Sequence, residues 1–439
     1  MFESILGQAA VRQLEMDKVG GVLAPSMLFS GPPGSGKGTA ALELARVLSC
    51  EDPAAQADCP CSACARHRTL THPDLLTLGS RPFFAEISAA ATVCRREPDD
   101  QSRLLFIRSV RKLLTRFSPV LWEDEPRFKK VSESLLGLEE ALDEVSTLPA
   151  GELDKSLQAI LKQAGKLEAE GLGELIPIGQ IRRAAAWSHL APTGKRKLLL
   201  IENADRMQDA ARNALLKMLE EPPASVIMVL TSAREKALLP TVMSRLRPYR
   251  FIRRSPEVEG AVIRQVFRDT PPKEILGIEA YLASFLPVSE EALRPAAAFF
   301  AAYVARGVLI QLKRWGITRF PEELVILGAY ASGLSEASPL GKPGNDPQSV
   351  IAQILAVTEK FEVRGLFVQF LRVLLAVVME SRFSRQPAPV RLGDLDVWRK
   401  CTAEAALAVG TYNQSPVLAL ERLSIELRQS LATICRGGI

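Results

Sequence analysis

The chain is expected to fold as a parallel-sheet α/β domain continued by an all-α remainder, and three observations lead there. A glycine-rich loop at residues 31–39 (GPPGSGKGT) sits between a short apolar run, Met27-Leu28-Phe29, and a helical pattern, TAALELARVL. Two more strand-like apolar runs, KLLLI at 197–201 and SVIMVLTS at 225–232, alternate with helical stretches. Beyond about residue 254 the strand signal fades and helical periodicity runs to the end. Continuous apolar runs of this length suit strands covered on both faces, and their alternation with helices implies a doubly wound parallel sheet.

The loop is the strongest element. GxxxxGK between a strand and a helix is the phosphate-binding P-loop: glycines let backbone N–H groups curl round phosphates, and the helix N-terminus adds its positive end. Gly31, Gly34, Ser35, Gly36, Lys37, Gly38 and Thr39 are therefore the candidate nucleotide-binding residues, with Lys37 reaching the terminal phosphates. One departure matters, because Gly38 stands where a hydroxyl normally meets magnesium, and Thr39 comes one place later. A loop that binds nothing is the plainer alternative.

The run at 197–201 leads into Glu202-Asn203-Ala204-Asp205. P-loop ATPases place an acidic pair here, one member for magnesium and one to activate water. Glu202 fills the first position, but Asn203 fills the second, and an amide cannot take a proton from water. The loop is expected to hold a nucleotide that this strand is poorly equipped to split.

Between the P-loop helix and LLTLG (75–79, a second strand) lie Cys50, Cys59, Cys61 and Cys64. Four thiolates within fifteen residues suit a closed tetrahedral zinc site. Four reduced thiols are the plainer alternative, and His67 is a possible substitute ligand because Cys59 and Cys61 are closely spaced. Seven cysteines, an odd number, with four clustered, favour a metal site in a reducing cytoplasm over a disulfide framework.

Residues 83–175 read as helical, with stretches near 101–117, 126–146 and 152–169, followed by an amphipathic helix at 176–190. In the first of these, Arg103, Arg108, Arg111, Lys112 and Arg116 lie off the apolar face, as a phosphate or partner contact or simply as a solvated face. Residues 332–347 look like a linker. The apolar run 296–305, bounded by Arg294 and Arg306, is too short for a bilayer span, and MFESILGQ lacks the features of a signal peptide. The net charge of +5 permits polyanion binding, and with only 5 Tyr and 4 Trp such contacts would go to phosphates.

Taken together, these segments resemble the bacterial clamp-loader family, subunits of DNA polymerase III that place the sliding clamp on DNA. The resemblance lies in FESILGQAAVRQLEMDKVGG, the P-loop segment, the cysteine module followed by THPDL (71–75), IENADRMQDAARNALLKMLEEPP (201–223), LLPTVMSRL (238–246, with Leu246 where the family's motif ends in Cys) and NQSPVLALERLSIEL (413–427). It covers roughly 1–80 and 176–254, is moderate at the C-terminus, and leaves 83–175 without a counterpart. Within the family, Asn203, THPDL and the C-terminal segment are most similar to the delta-prime subunit; the gamma/tau subunit comes second.

The resemblance implies a RecA-like AAA+ domain over 1–253, with a zinc module at 50–67 and a helical insertion at about 83–175 riding on its outside. A helical lid at 254–330 and a helical collar at 348–439 would follow. It implies ATP or ADP, with Mg2+, at the P-loop, Ser232 (or Thr231) sensing the phosphate, and structural Zn2+. Arg245 would act as a finger on a neighbour's nucleotide. Implied partners are gamma/tau and delta subunits, the sliding clamp and primed DNA through phosphate contacts, with no membrane and a cytoplasmic location. The rival expectations are an ATP-hydrolysing motor of the gamma/tau type and, because adenylate kinases share GKGT, a nucleotide kinase.

Overall fold

The computed structural model describes residues 1–437 apart from 123, 124, 126, 127, 174, 271–276, 359, 360, 362–364, 384–391 and 413. The chain divides into two compact units, Met1–Phe285 and Leu286–Ile439.

The first unit is built on five strands: β1 (Ser26–Ser30), β2 (Leu75–Gly79), β3 (Lys197–Glu202), β4 (Val226–Ser232) and β5 (Arg247–Arg250). They pair in parallel in the order β2-β3-β4-β1-β5. Every residue of β1, β3 and β4 is buried, which is why these strands read as unbroken apolar runs. β5 was not expected. Its sequence, RPYR, buries only Tyr249, and Pro248 is tolerated because the strand lies at the sheet edge.

Alternate strand residues feed two cores, as the period of two requires. On one face Met27, Phe29, Leu198, Leu200, Ile227 and Val229 pack with the N-terminal segment, the P-loop helix Lys37–Ser49 and the cysteine module. On the other, Leu28, Leu76, Leu78, Leu199, Ile201 and Leu230 pack with Phe106, Val110, Leu138, Leu142, Leu157 and Ile160. The segment 83–175 therefore does not ride on the outside of the domain. Its helices Phe84–Arg96, Asp100–Leu114, Phe128–Val145 and Ala150–Gly171 share one core with Ile178–His189, Asp209–Glu220 and one face of the sheet. The expected stretches at 101–117, 152–169 and 176–190 match helices within a few residues; the start of 126–146 lies outside the described residues.

Residues 254–285 complete the first unit. Val262, Ile263, Phe267, Ile278 and Tyr281 pack on Ala89, and Arg96–Asp269 (2.7 Å) and Arg268–Asp99 (2.6 Å) ion pairs tie the segment to the insertion. The stretch 254–330, expected as one helical lid, is thus divided at 285/286.

Among the described residues, the regular structure of the second unit is helical: Glu290–Arg314, Glu322–Glu336, Pro347–Val357, Leu366–Phe383, Leu392–Tyr412 and Pro416–Gly437. Residues 296–305 belong to the 25-residue helix Glu290–Arg314, which is long and apolar enough to cross a membrane. Here 67% of its apolar window is buried inside the unit, where Phe299, Phe300 and Val304 anchor the core. The expected linker is helical up to Glu336 and leaves a loop only at 337–346. Asn413 of the C-terminal motif lies outside the described residues; Leu420, Leu423 and Leu427 of that motif are core residues.

Candidate functional site

The sheet order puts β4 between β1 and β3, so three parallel strands end side by side: β1 at the P-loop, β3 at Glu202 and β4 at Ser232. Gly31, Gly34 and Gly36 have positive φ. At Gly31 (φ 147°) a side chain would also strike the Phe251 carbonyl, since its Cβ would lie 2.1 Å from that oxygen. Lys37 Nζ donates to the carbonyls of Gly31 and Pro32 (2.6 Å each) and lies 3.3 Å from Ser35 Oγ. Burial lowers its pKa to about 8, against the pull of Glu202, Asp205 and Glu279. Arg254 pins the loop from behind, donating to Gly34 O (2.6 Å) and Leu6 O (2.9 Å). Thr39 is exposed.

Glu202 is buried and doubly ion-paired. Arg81, in the loop after β2, donates to Oε2 at 3.1 Å, and Arg116, in the turn closing helix Asp100–Leu114, donates to the same oxygen. Glu86 pairs with Arg81 (3.0 Å) and with Lys112. Burial alone would raise both carboxyl pKa values, but the cations prevail: Lys112 and Arg81 draw Glu86 down to about 2, and Arg81 and Arg116 hold Glu202 below its usual range. Glu202 Oε1 in turn lies 2.5 Å from where a Cβ on Gly38 would be. A magnesium site needs a free carboxylate and a hydroxyl at this spot. These residues offer a carboxylate already held by two guanidinium groups and a glycine with no room for a side chain, so they do not fit that ion.

Asn203 (φ 54°) adopts the left-handed conformation that asparagine tolerates better than most residues. Its Nδ2 donates to Ser80 O (3.0 Å), and its N–H to Thr231 Oγ1 (3.2 Å). It joins β3 to the end of β2 and supplies no base. Ser232 Oγ donates to Asp205 Oδ1 (2.9 Å) and accepts from the Arg234 N–H (2.9 Å), while the Arg234 guanidinium pairs with Asp205 Oδ2 (2.9 Å). The sequence reading gave Asp205 no role, yet it is the buried acceptor that fixes the end of β4.

Arg245 is exposed. It donates to Thr241 O and to Glu220 Oε1, both at 2.8 Å. Two residues later Arg247 pairs with Met27, so Arg245 lies toward the strand-start end of the sheet, while its own P-loop leaves from the strand-finish end. It is remote from the nucleotide loop of its own chain.

The four Sγ atoms of Cys50, Cys59, Cys61 and Cys64 lie within 4.8 Å of one another, with Cys50 and Cys59 3.6 Å apart. A tetrahedral zinc with Zn–S bonds of about 2.3 Å separates its sulfurs by roughly 3.8 Å, so the thiols fit that ion. Arg46, from the P-loop helix, donates to Cys64 Sγ (3.1 Å) and to the carbonyls of Ala55 (2.7 Å) and Gln56 (2.9 Å). His67 is not part of the group. Its Nε2 meets Ser49 Oγ at 2.9 Å, its ring stacks on His72 at 4.1 Å, and burial pushes its pKa down to about 3.

The basic helix is not a plain solvated face. Arg108 donates to the His67 and Arg68 carbonyls and Arg111 to Thr69 O, at the end of the cysteine module and just after it; Arg103 donates to the Val145 and Leu148 carbonyls. With Arg116 on Glu202, the helix links the module, the insertion and the site.

A profile of the family described as "DNA polymerase III, delta subunit" matches residues 7–121 and 153–255. It thus takes in much of 83–175, which the sequence reading left without a family counterpart, and omits only 122–152 of it. Among curated proteins, the delta' subunit of DNA polymerase III from Pseudomonas aeruginosa is 40% identical over 80 residues, 18% of this chain and 24% of that one. The gamma/tau subunit from Mycobacterium bovis is 28% identical over 102 residues, 23% of this chain and 17% of that one. The matched stretches therefore span a quarter or less of these relatives. A solved gamma-subunit-related protein of Thermotoga maritima aligns with 58% of this chain and 80% of its own at 19% identity, with a TM-score of 0.28.

Proposed function

The chain belongs to the clamp-loader subunit family of DNA polymerase III, and from that premise we propose that it is a nucleotide-binding, poorly hydrolysing stator of the delta-prime kind. In this role it helps load the sliding clamp onto primed DNA beside gamma/tau and delta subunits. The observation that carries the reading is the state of β3. Glu202 is engaged through Oε2 by Arg81 and Arg116, and Asn203, an amide, spends its Nδ2 on Ser80, so the second position of β3's acidic pair supplies no base to activate water. The exposed position of Arg245, away from its own P-loop, supports its assignment as a finger in trans. The cysteine module takes a structural zinc.

The match to a gamma/tau subunit and the retained P-loop favour a second reading, a hydrolysing motor. ATP turnover by the purified chain, alone and with clamp and primed DNA, separates the two. Measurable ATP binding without turnover is expected of the stator. Steady DNA-stimulated turnover would overturn it.

A further inference from the structure

We propose that this P-loop takes ATP without a divalent cation, the positive charge normally brought by magnesium being built into the protein as Arg81 and Arg116. The proposal rests on the nucleotide-binding reading above and gives that site a different ionic requirement.

Three observations carry it. The acidic side chain at the end of β3 already has two cationic partners on Oε2, so its negative charge is neutralised within the protein before any metal arrives. Pulling it away from them would cost several kcal/mol because it strands buried charge. No hydroxyl stands at position 38, and Glu202 Oε1 occupies the space in which one would be carried. Finally, Arg116 is only 4% exposed, yet its Nε and Nη1 have no hydrogen-bond partner. Buried guanidinium donors left unsatisfied are costly, and phosphate oxygens are the acceptors they match best.

Arg81, Arg116 and Lys112 face the carboxylates of Glu86 and Glu202, and Lys37 adds a further cation beside the loop. Arg81 and Arg116 also both lie against the Phe83 ring, at 4.3 and 5.4 Å from its centroid.

The test is binding of mant-ATP, a fluorescent ATP analogue, to the full chain with millimolar magnesium and in magnesium-free buffer. Magnesium should be removed by resin treatment of the buffer rather than by adding a chelator, so that the cysteine site keeps its ion. The two affinities are expected to agree within about twofold, well short of the 1.4 kcal/mol of a tenfold change. Binding that weakens tenfold or more without magnesium would overturn the proposal and leave the nucleotide-binding reading standing. No binding in either buffer would sink both. Arg81→Ala, at a side chain 28% exposed, should weaken magnesium-free binding by roughly tenfold or more while the melting curve shows a folded protein. Unchanged magnesium-free binding in that variant would count against the built-in charge.

Discussion

Gly38→Ala tests the site's architecture with a single methyl group. By helix propensity the change should help: Gly38 lies in the first turn of helix Lys37–Ser49, where alanine is favoured over glycine by roughly 0.5–1 kcal/mol. The structure predicts the opposite. The new Cβ would meet Glu202 Oε1 at 2.5 Å, and Glu202 cannot swing aside freely because Arg81 and Arg116 hold its other oxygen. Forcing it to move resembles overpacking, about 1–3 kcal/mol, rising toward the roughly 3–5 kcal/mol of a broken buried pair if an arginine is released. Subtracting the propensity gain leaves a net loss of about 0–2.5 kcal/mol, rising to roughly 2–4.5 if an arginine is released. For a unit of this size about 2 °C accompanies each kcal/mol, so melting should fall by up to roughly 5 °C, or up to about 9 °C in the second case. Gly151→Ala is the control, since a Cβ there meets nothing within 4 Å. Differential scanning calorimetry of both variants decides the matter. A Gly38→Ala protein that melts above the wild-type temperature would mean that Glu202 is not held as described, and the account of the site would fail with it.

Three further outcomes are expected. Mercurial titration of the thiols should release about one equivalent of zinc, and Cys59→Ser should abolish that release and lower the melting temperature; a chain that releases no zinc refutes the module. Glu86 has a folded pKa of about 2 against its ordinary 4.5, so its stabilisation is complete above pH 4.5 and is lost as pH falls from there to about 2. The gap in urea stability between wild type and Glu86→Gln, on the order of 3 kcal/mol at neutral pH, should therefore narrow across that window, and a gap constant down to pH 2.5 would contradict it. Arg245→Ala should cut ATPase of the assembled complex by two or more orders of magnitude, within reach of the effect of a trans arginine, while mant-ATP affinity of this chain stays the same; undiminished complex activity removes the finger.

What the sequence disclosed depends on where each signal resides. β1, β3 and β4 were readable because burial on both faces writes a continuous apolar run, and the P-loop and cysteine cluster because their parts lie within fifteen residues. β5 escaped because a four-residue edge strand containing proline carries neither signal. The pairing of Arg116 with Glu202 spans 86 residues and that of Arg81 with Glu202 spans 121. Neither arginine differs locally from any helix or loop arginine, so only the fold brings them to the site. The insertion was misplaced for a related reason. Its apolar stripes show that it is covered, but not by what, and the answer is the sheet itself.

The strand order also sets a schedule for the growing chain. β1 is complete at Ser30, but its two neighbours, β4 and β5, begin at Val226 and Arg247. At synthesis rates of about 5–20 residues per second, β1 waits roughly 10–40 s for its first partner. Throughout that interval Ser26–Ser30 has unpaired backbone on both sides, the kind of apolar edge that recruits other chains. By contrast, Arg46 joins the P-loop helix to the cysteine module through contacts no more than eighteen residues apart, so this link can form before the sheet does. A bound zinc would close that part early and give one side of β1 a folded neighbour long before the sheet exists. The metal's largest effect would then fall on the yield of correctly folded chains rather than on the finished protein.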